Sequence, residues 1–142
     1  MRRTIVSLLV CVTCVALLLP QAVAAGKPAK LYIGVLADMS GPYAPVVGSF
    51  RPGYIDAYKY INEEMGGIKG VLVEPLLRDN GGKVAVAQAQ YNELINRDPR
   101  PIFIDTAFSP IAEAVRQRYV EDDMIGIHAG NIVAVYPLAN SY

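Results

Sequence analysis

Four short apolar runs, at residues 31–36, 71–77, 102–105 and 125–128, alternate with three longer stretches of helical periodicity, at 49–65, 83–96 and 109–122. No other feature restricts the fold as much as this alternation. A short apolar run bounded by Gly, Pro, Asn or Asp reads as a strand, and recurrence every three to four residues reads as an amphipathic helix. The resulting order, β-α-β-α-β-α-β, predicts an α/β fold: a parallel sheet with alternating helices and right-handed crossovers. In such sheets ligands sit beyond the carboxyl ends of the strands. Function is therefore expected in the loops 38–48, 106–109 and 129–131.

Local chemistry sharpens the pattern. In the first helix Tyr54, Tyr58, Ile61 and Met65 share one face, Pro52 sits near the start, and Gly66-Gly67 stops it. Pro75 interrupts the second strand and predicts an edge position or a bulge. Asp79-Asn80-Gly81-Gly82 is turn chemistry. The second helix is expected to bury Val84, Ala87, Tyr91 and Leu94, and the third Ile111, Val115 and Tyr119. Ser109-Pro110 predicts an N-cap followed by proline at the first helical position. Residues 131–142 begin no complete element, so the sheet is expected to be incomplete.

The first 24 residues read as a secretory signal peptide. Arg2 and Arg3 precede an apolar stretch over 4–19, Pro20 closes it, and Ala22-Val23-Ala24 fits a small-x-small cleavage site. A retained membrane anchor is the rival reading, but 4–19 is near the lower limit for a span. Cys11 and Cys14 both lie inside this leader, so a mature chain over 25–142 has no cysteine for redox or metal chemistry. Of 13 basic residues, the leader takes Arg2 and Arg3, leaving 11 against 13 acidic ones, a formal charge of −2. No basic stripe suited to nucleic acid remains.

The loops carry no recognisable reaction centre. Neither G-x-G-x-x-G nor G-x-x-x-x-G-K-[ST] follows the first strand, so dinucleotide and nucleoside triphosphate sites lack their phosphate cradle. Asp38 stands where phosphoryl-transfer enzymes keep a nucleophile, but the second acid such enzymes often carry is replaced by Ser40. Asp105 is expected to cap local backbone groups. His128, the single histidine, is expected to be packed or hydrogen-bonded rather than catalytic, and Glu121-Asp122-Asp123 to be a solvated surface. No metal or other cofactor is implied. Recognition remains: Tyr43, Phe108, Ser109, Ala129 and Gly130 are placed to line a cleft. Ser109 either caps its helix or presents its hydroxyl to an anion, and one residue can do both.

The run I-G-V-L-A-D-M-S-G-P-Y-A at 33–44 resembles the start of the periplasmic substrate-binding proteins of branched-chain amino acid ABC transporters. Three further segments carry the resemblance: I-N-E-E-M-G-G-I-K-G at 61–70, D-N-G-G-K-V-A-V-A-Q-A at 79–89, and the strand-loop-helix over 102–115. It implies a two-lobed type I periplasmic binding protein that closes on a small ligand and delivers it to a membrane permease. Residues 25–142 would be part of its Rossmann-like first lobe. It further implies that Tyr43 packs on the ligand, that Phe108 and Ser109 occupy the carboxylate-binding loop, and that Ala129 and Gly130 follow the fourth strand beside the ligand. The ligand would be an amino acid or a related carboxylate or amide. The family's Ser-Ser is here Phe108-Ser109, and its Ala-Thr pattern is absent after His128, which opens the ligand beyond amino acids. Without a second lobe, the chain is expected to bind weakly or not at all. Two other readings compete. A sensor domain would be followed by a membrane helix and signalling module. A small secreted α/β enzyme would lose activity on Asp38→Asn.

Overall fold

The computed structural model describes residues 29–128. The expected leader, Cys11, Cys14, the expected site residues Ala129 and Gly130, and 131–142 lie outside the described residues. The elements in order are β1 (Lys30–Ala37), α1 (Ala44–Val47), α2 (Phe50–Glu63), β2 (Leu72–Asp79), α3 (Val84–Ile95), β3 (Phe103–Thr106), α4 (Ser109–Glu121) and β4 (Ile125–His128). The expected alternation is present, with one addition. The segment 44–47, expected as loop, forms the single turn α1, with Pro45 in its first turn where a missing N–H costs nothing.

The four strands pair in parallel in the order β2-β1-β3-β4. Pro75 lies opposite Ile33 on β2, the edge strand its ring predicts. Side chains alternate between two cores. On one face Leu36, Leu76 and Ile104 meet Ala87, Tyr91 and Leu94 of α3 and Ile111, Val115 and Tyr119 of α4. On the other, Ile33, Val35, Ala37 and Val73 meet Val47, with Tyr54, Tyr58 and Ile61 of α2 packed against them.

Two expected core positions fail. Val84, the first residue of α3, is 38% exposed. Met65 is 61% exposed, because α2 ends at Glu63 and the chain turns at Gly66 and Gly67, both at positive φ, before a further helical turn forms. Ser109 is likewise not the N-cap. Phe108 holds that position in extended conformation, Ser109 is already helical, and no side chain caps the helix.

Close packing of α4 on β4 depends on Gly126. A Cβ there would lie 2.3 Å from Cε2 of Tyr119, whose ring is buried and meets Tyr91 edge-on at 5.6 Å. Gly126→Ala is therefore expected to cost about 2–3 kcal/mol through overpacking, read as a lower denaturation midpoint. A loss below about 0.5 kcal/mol would show that α4 can move aside.

Candidate ligand-binding site

All four strands run the same way, so the loops after β1 and β3 and the carboxyl end of β4 at His128 lie at one end of the sheet. The first loop is built by Asp38. Its carboxylate is fully buried and accepts the backbone N–H of Gly41 at 2.6 Å and of Tyr43 at 2.8 Å. Both oxygens are thus spent on loop amides, which is a structural use rather than that of a nucleophile. The turn after β2 locks against this loop. Asp79 accepts the N–H groups of Met39 and Gly81, each at 3.0 Å. Burial raises the Asp79 pKa, but hydrogen bonds from the Ser40 hydroxyl and the amides of Gly81, Met39 and Ser40 outweigh it and hold the carboxyl below its ordinary range. Gly41 passes so close that a Cβ would lie 2.3 Å from the carbonyl oxygen of Gly81. Gly82, at φ +72, would place one 2.7 Å from Asp38 Oδ2.

This framework fixes Tyr43, which initiates α1, so that its ring stacks on Phe108 with centroids 4.7 Å apart and planes 27° from parallel. Tyr43 is 41% exposed and Phe108 half-buried, so the pair presents an aromatic wall to solvent. Phe108 is followed by the start of α4. Pro110 has no N–H, and the amides of Ile111 and Ala112 already donate to the Phe108 carbonyl at 3.0 and 3.1 Å. The polar groups that this helix start can turn toward a ligand are those of Ser109.

The structure brings a residue to Ser109 that the sequence reading left aside. His128, at the end of β4, pairs with Thr106 across the sheet. Its Nδ1 lies 2.8 Å from the Thr106 carbonyl oxygen and 3.3 Å from Thr106 Oγ1. Its Nε2 lies 3.5 Å from Ser109 Oγ. The expectation that His128 is hydrogen-bonded holds, but its partner is a candidate ligand-binding residue. The available signal was its place as the single histidine at a strand end.

Asp105 does not merely cap local backbone, as expected. It points to the opposite face, where it accepts the Tyr54 hydroxyl. Burial pushes its pKa up, against the lowering effects of the Tyr54 bond, the His128 charge and the Thr106 amide. Tyr54 is pushed up in turn, first by burial and then by the carboxylate. Of the acidic run 121–123, Glu121 and Asp122 pair with Arg118 at 3.6 and 3.2 Å. An apolar groove lined by Phe50, Gly53, Tyr54, Ala57, Tyr58 and Ile61 runs along α2 and includes none of the expected site residues.

A family model described as "Periplasmic binding protein" matches residues 30–137. Among solved structures, a fatty acid ABC transporter substrate-binding protein from Thermomonospora curvata is 30% identical, with a TM-score of 0.65, over 72% of this chain and 25% of that one. A solute-binding protein of an ABC transporter from R. palustris, in complex with 4-hydroxybenzoate, is 31% identical, with a TM-score of 0.57, over 70% and 26%. The branched-chain amino acid transporter substrate-binding protein of Streptococcus pneumoniae, in complex with isoleucine, is 21% identical with a TM-score of 0.70, over 80% and 33%, a likeness of fold alone. The chain therefore spans about a quarter to a third of the length of these solved relatives. No curated protein matches it.

Proposed function

Since this chain belongs to the periplasmic binding protein family, we propose that it is part of the first lobe of an extracytoplasmic solute receptor that delivers a small carboxylate ligand to an ABC permease. Residues 1–24 would export it and be cleaved, leaving 25–142 in the periplasm. One observation carries the reading. The Tyr43–Phe108 stack stands beside Ser109 at the start of α4, an apolar wall next to a hydroxyl at a helix N-terminus. An aromatic or aliphatic body would lie on the rings, and the carboxylate would meet Ser109, where the helix dipole favours negative charge. Ala129 and Gly130 would follow His128 along the same rim. Fatty acids, 4-hydroxybenzoate and isoleucine, bound or transported by the solved relatives, share a carboxylate on an apolar body.

The same geometry supports binding rather than catalysis. A serine nucleophile needs a base oriented by a third group, usually a carboxylate. Here the histidine is held by a carbonyl and stands 3.5 Å from Ser109. The relatives support an importer component over a sensor domain.

The test is a thermal-shift and calorimetric titration of the full gene product with 4-hydroxybenzoate, isoleucine and decanoate. A ligand at a hundred times its Kd adds about 2.7 kcal/mol of stability. At least one is expected to raise the midpoint, and Phe108→Ala is expected to weaken its binding about tenfold, the loss of roughly 1.4 kcal/mol of ring contact. If none of the three shifts the midpoint, the carboxylate reading is wrong.

A further inference from the structure

The hydrogen-bond chain from Thr106 through His128 to Ser109 has a direction, and the direction can be read from its fixed end. A backbone carbonyl only accepts. The Thr106 carbonyl lies 2.8 Å from His128 Nδ1, so Nδ1 carries a proton. Thr106 Oγ1 donates to the Ile127 carbonyl at 3.3 Å, which leaves its lone pairs to face the same Nδ1–H. In the neutral ring the other nitrogen, Nε2, is then an acceptor, and Ser109 Oγ at 3.5 Å is the donor that meets it. A serine hydroxyl has one proton and two lone pairs.

Resting on the carboxylate reading above, we propose that His128 sets the hydrogen-bond polarity that Ser109 shows to a ligand. With the ring neutral, Ser109 donates inward to Nε2 and offers a ligand only lone pairs, which suit a hydroxyl or amide N–H. With the ring protonated, Nε2–H donates to Ser109 Oγ, and the hydroxyl proton turns outward to meet a carboxylate. Carboxylate binding then takes up a proton, and affinity rises as pH falls. Histidine is the side chain that changes charge near neutral pH. Among the described residues, α4 brings Ser109 Oγ to the ring and the Tyr119 hydroxyl to Thr106, β3 brings the Asp105 carboxyl within electrostatic reach, and no acid or base of α3 or the 38–48 loop is hydrogen-bonded to the ring.

The ring nitrogens of His128 can be observed by nitrogen NMR and assigned as the imidazole signals that His128→Gln removes. The ligand-free full gene product at pH 8 is expected to show the Nδ1–H tautomer, the less common form of free histidine. A ring carrying its proton on Nε2 would overturn the inference and leave the receptor reading intact. Calorimetry then compares 4-hydroxybenzoate, a carboxylate ionised throughout, with 4-hydroxybenzamide at pH 5.5 and 8. The carboxylate is expected to bind about tenfold more tightly at pH 5.5, while the amide shows no such gain. His128→Gln, which keeps a side-chain amide near Ser109, is expected to remove the pH dependence while still binding both. A pH dependence equal in wild type and His128→Gln, or a flat profile in wild type, would overturn the inference alone. If isoleucine or decanoate binds in place of 4-hydroxybenzoate, the same pH comparison is made with it; failure of all three carboxylates to bind wild type at either pH would overturn the receptor reading and this inference with it.

Discussion

Asp38→Ala is expected to lower the unfolding free energy by about 3–5 kcal/mol and to abolish ligand binding. The first effect follows from the two loop amides that the carboxylate accepts, those of Gly41 and Tyr43. Each hydrogen bond to a charged group is worth about 1.5–3 kcal/mol, and its loss leaves a donor unsatisfied in a part-buried place. The second follows because the same bonds set the position from which Tyr43 stacks on Phe108. Asp38→Asn tests the electrostatics at constant shape. Its amide has one acceptor oxygen, so one of the two N–H groups faces an NH2 instead, and an intermediate loss is expected. Denaturant titration measures both variants. An Asp38→Ala protein within 1 kcal/mol of wild type would mean that the loop holds its form without the carboxylate.

Tyr119→Ala is expected to cost about 3–5 kcal/mol, the usual range for emptying a large aromatic site in a core. The ring is 1% exposed, meets Tyr91, and fills the space that Gly126 leaves on β4. The informative measurement is the double variant. Gly126→Ala is costly only because the ring is there, so adding it to Tyr119→Ala is expected to be nearly neutral. The two losses should therefore fall short of additivity by about 2 kcal/mol. Additive losses would show that Gly126 acts through the backbone of β4 rather than through this contact.

Much of this fold was legible because each strand and helix is locally consistent. The four apolar runs became four strands, and Pro75 marked the edge. The order β2-β1-β3-β4 was not legible, since hydrophobic period fixes which face is buried but not which strand lies beside which. Val84 and Met65 failed as core residues because periodicity carries no information about where a helix begins and ends: Val84 is the first residue of α3, and Met65 lies past the end of α2. Ser109 failed as an N-cap because Ser-Pro fits a cap and a first helical turn equally well, and only the extended backbone of Phe108 separates them. Tyr43, Phe108 and Ser109 stood out in the sequence by their place after strand ends; in the structure Tyr43 stacks on Phe108, and Ser109 follows Phe108 at the start of α4. The link from Ser109 to His128 spans two strands in a register that no local pattern encodes.

The glycines where the two loops touch have a consequence for how specificity can evolve. Gly41 admits no side chain because the Gly81 carbonyl occupies the place of its Cβ, and Gly82 admits none because Asp38 does. The two backbones are each other's mould. Randomising either loop by itself would mostly return misfolded chains, and a longer or shorter first loop would need a matching change some forty residues away. On the proposed receptor reading, a lineage adapting to a new solute would be steered toward exchanging the side chains at 43, 108, 109 and 128, leaving the main chain that carries them as inherited.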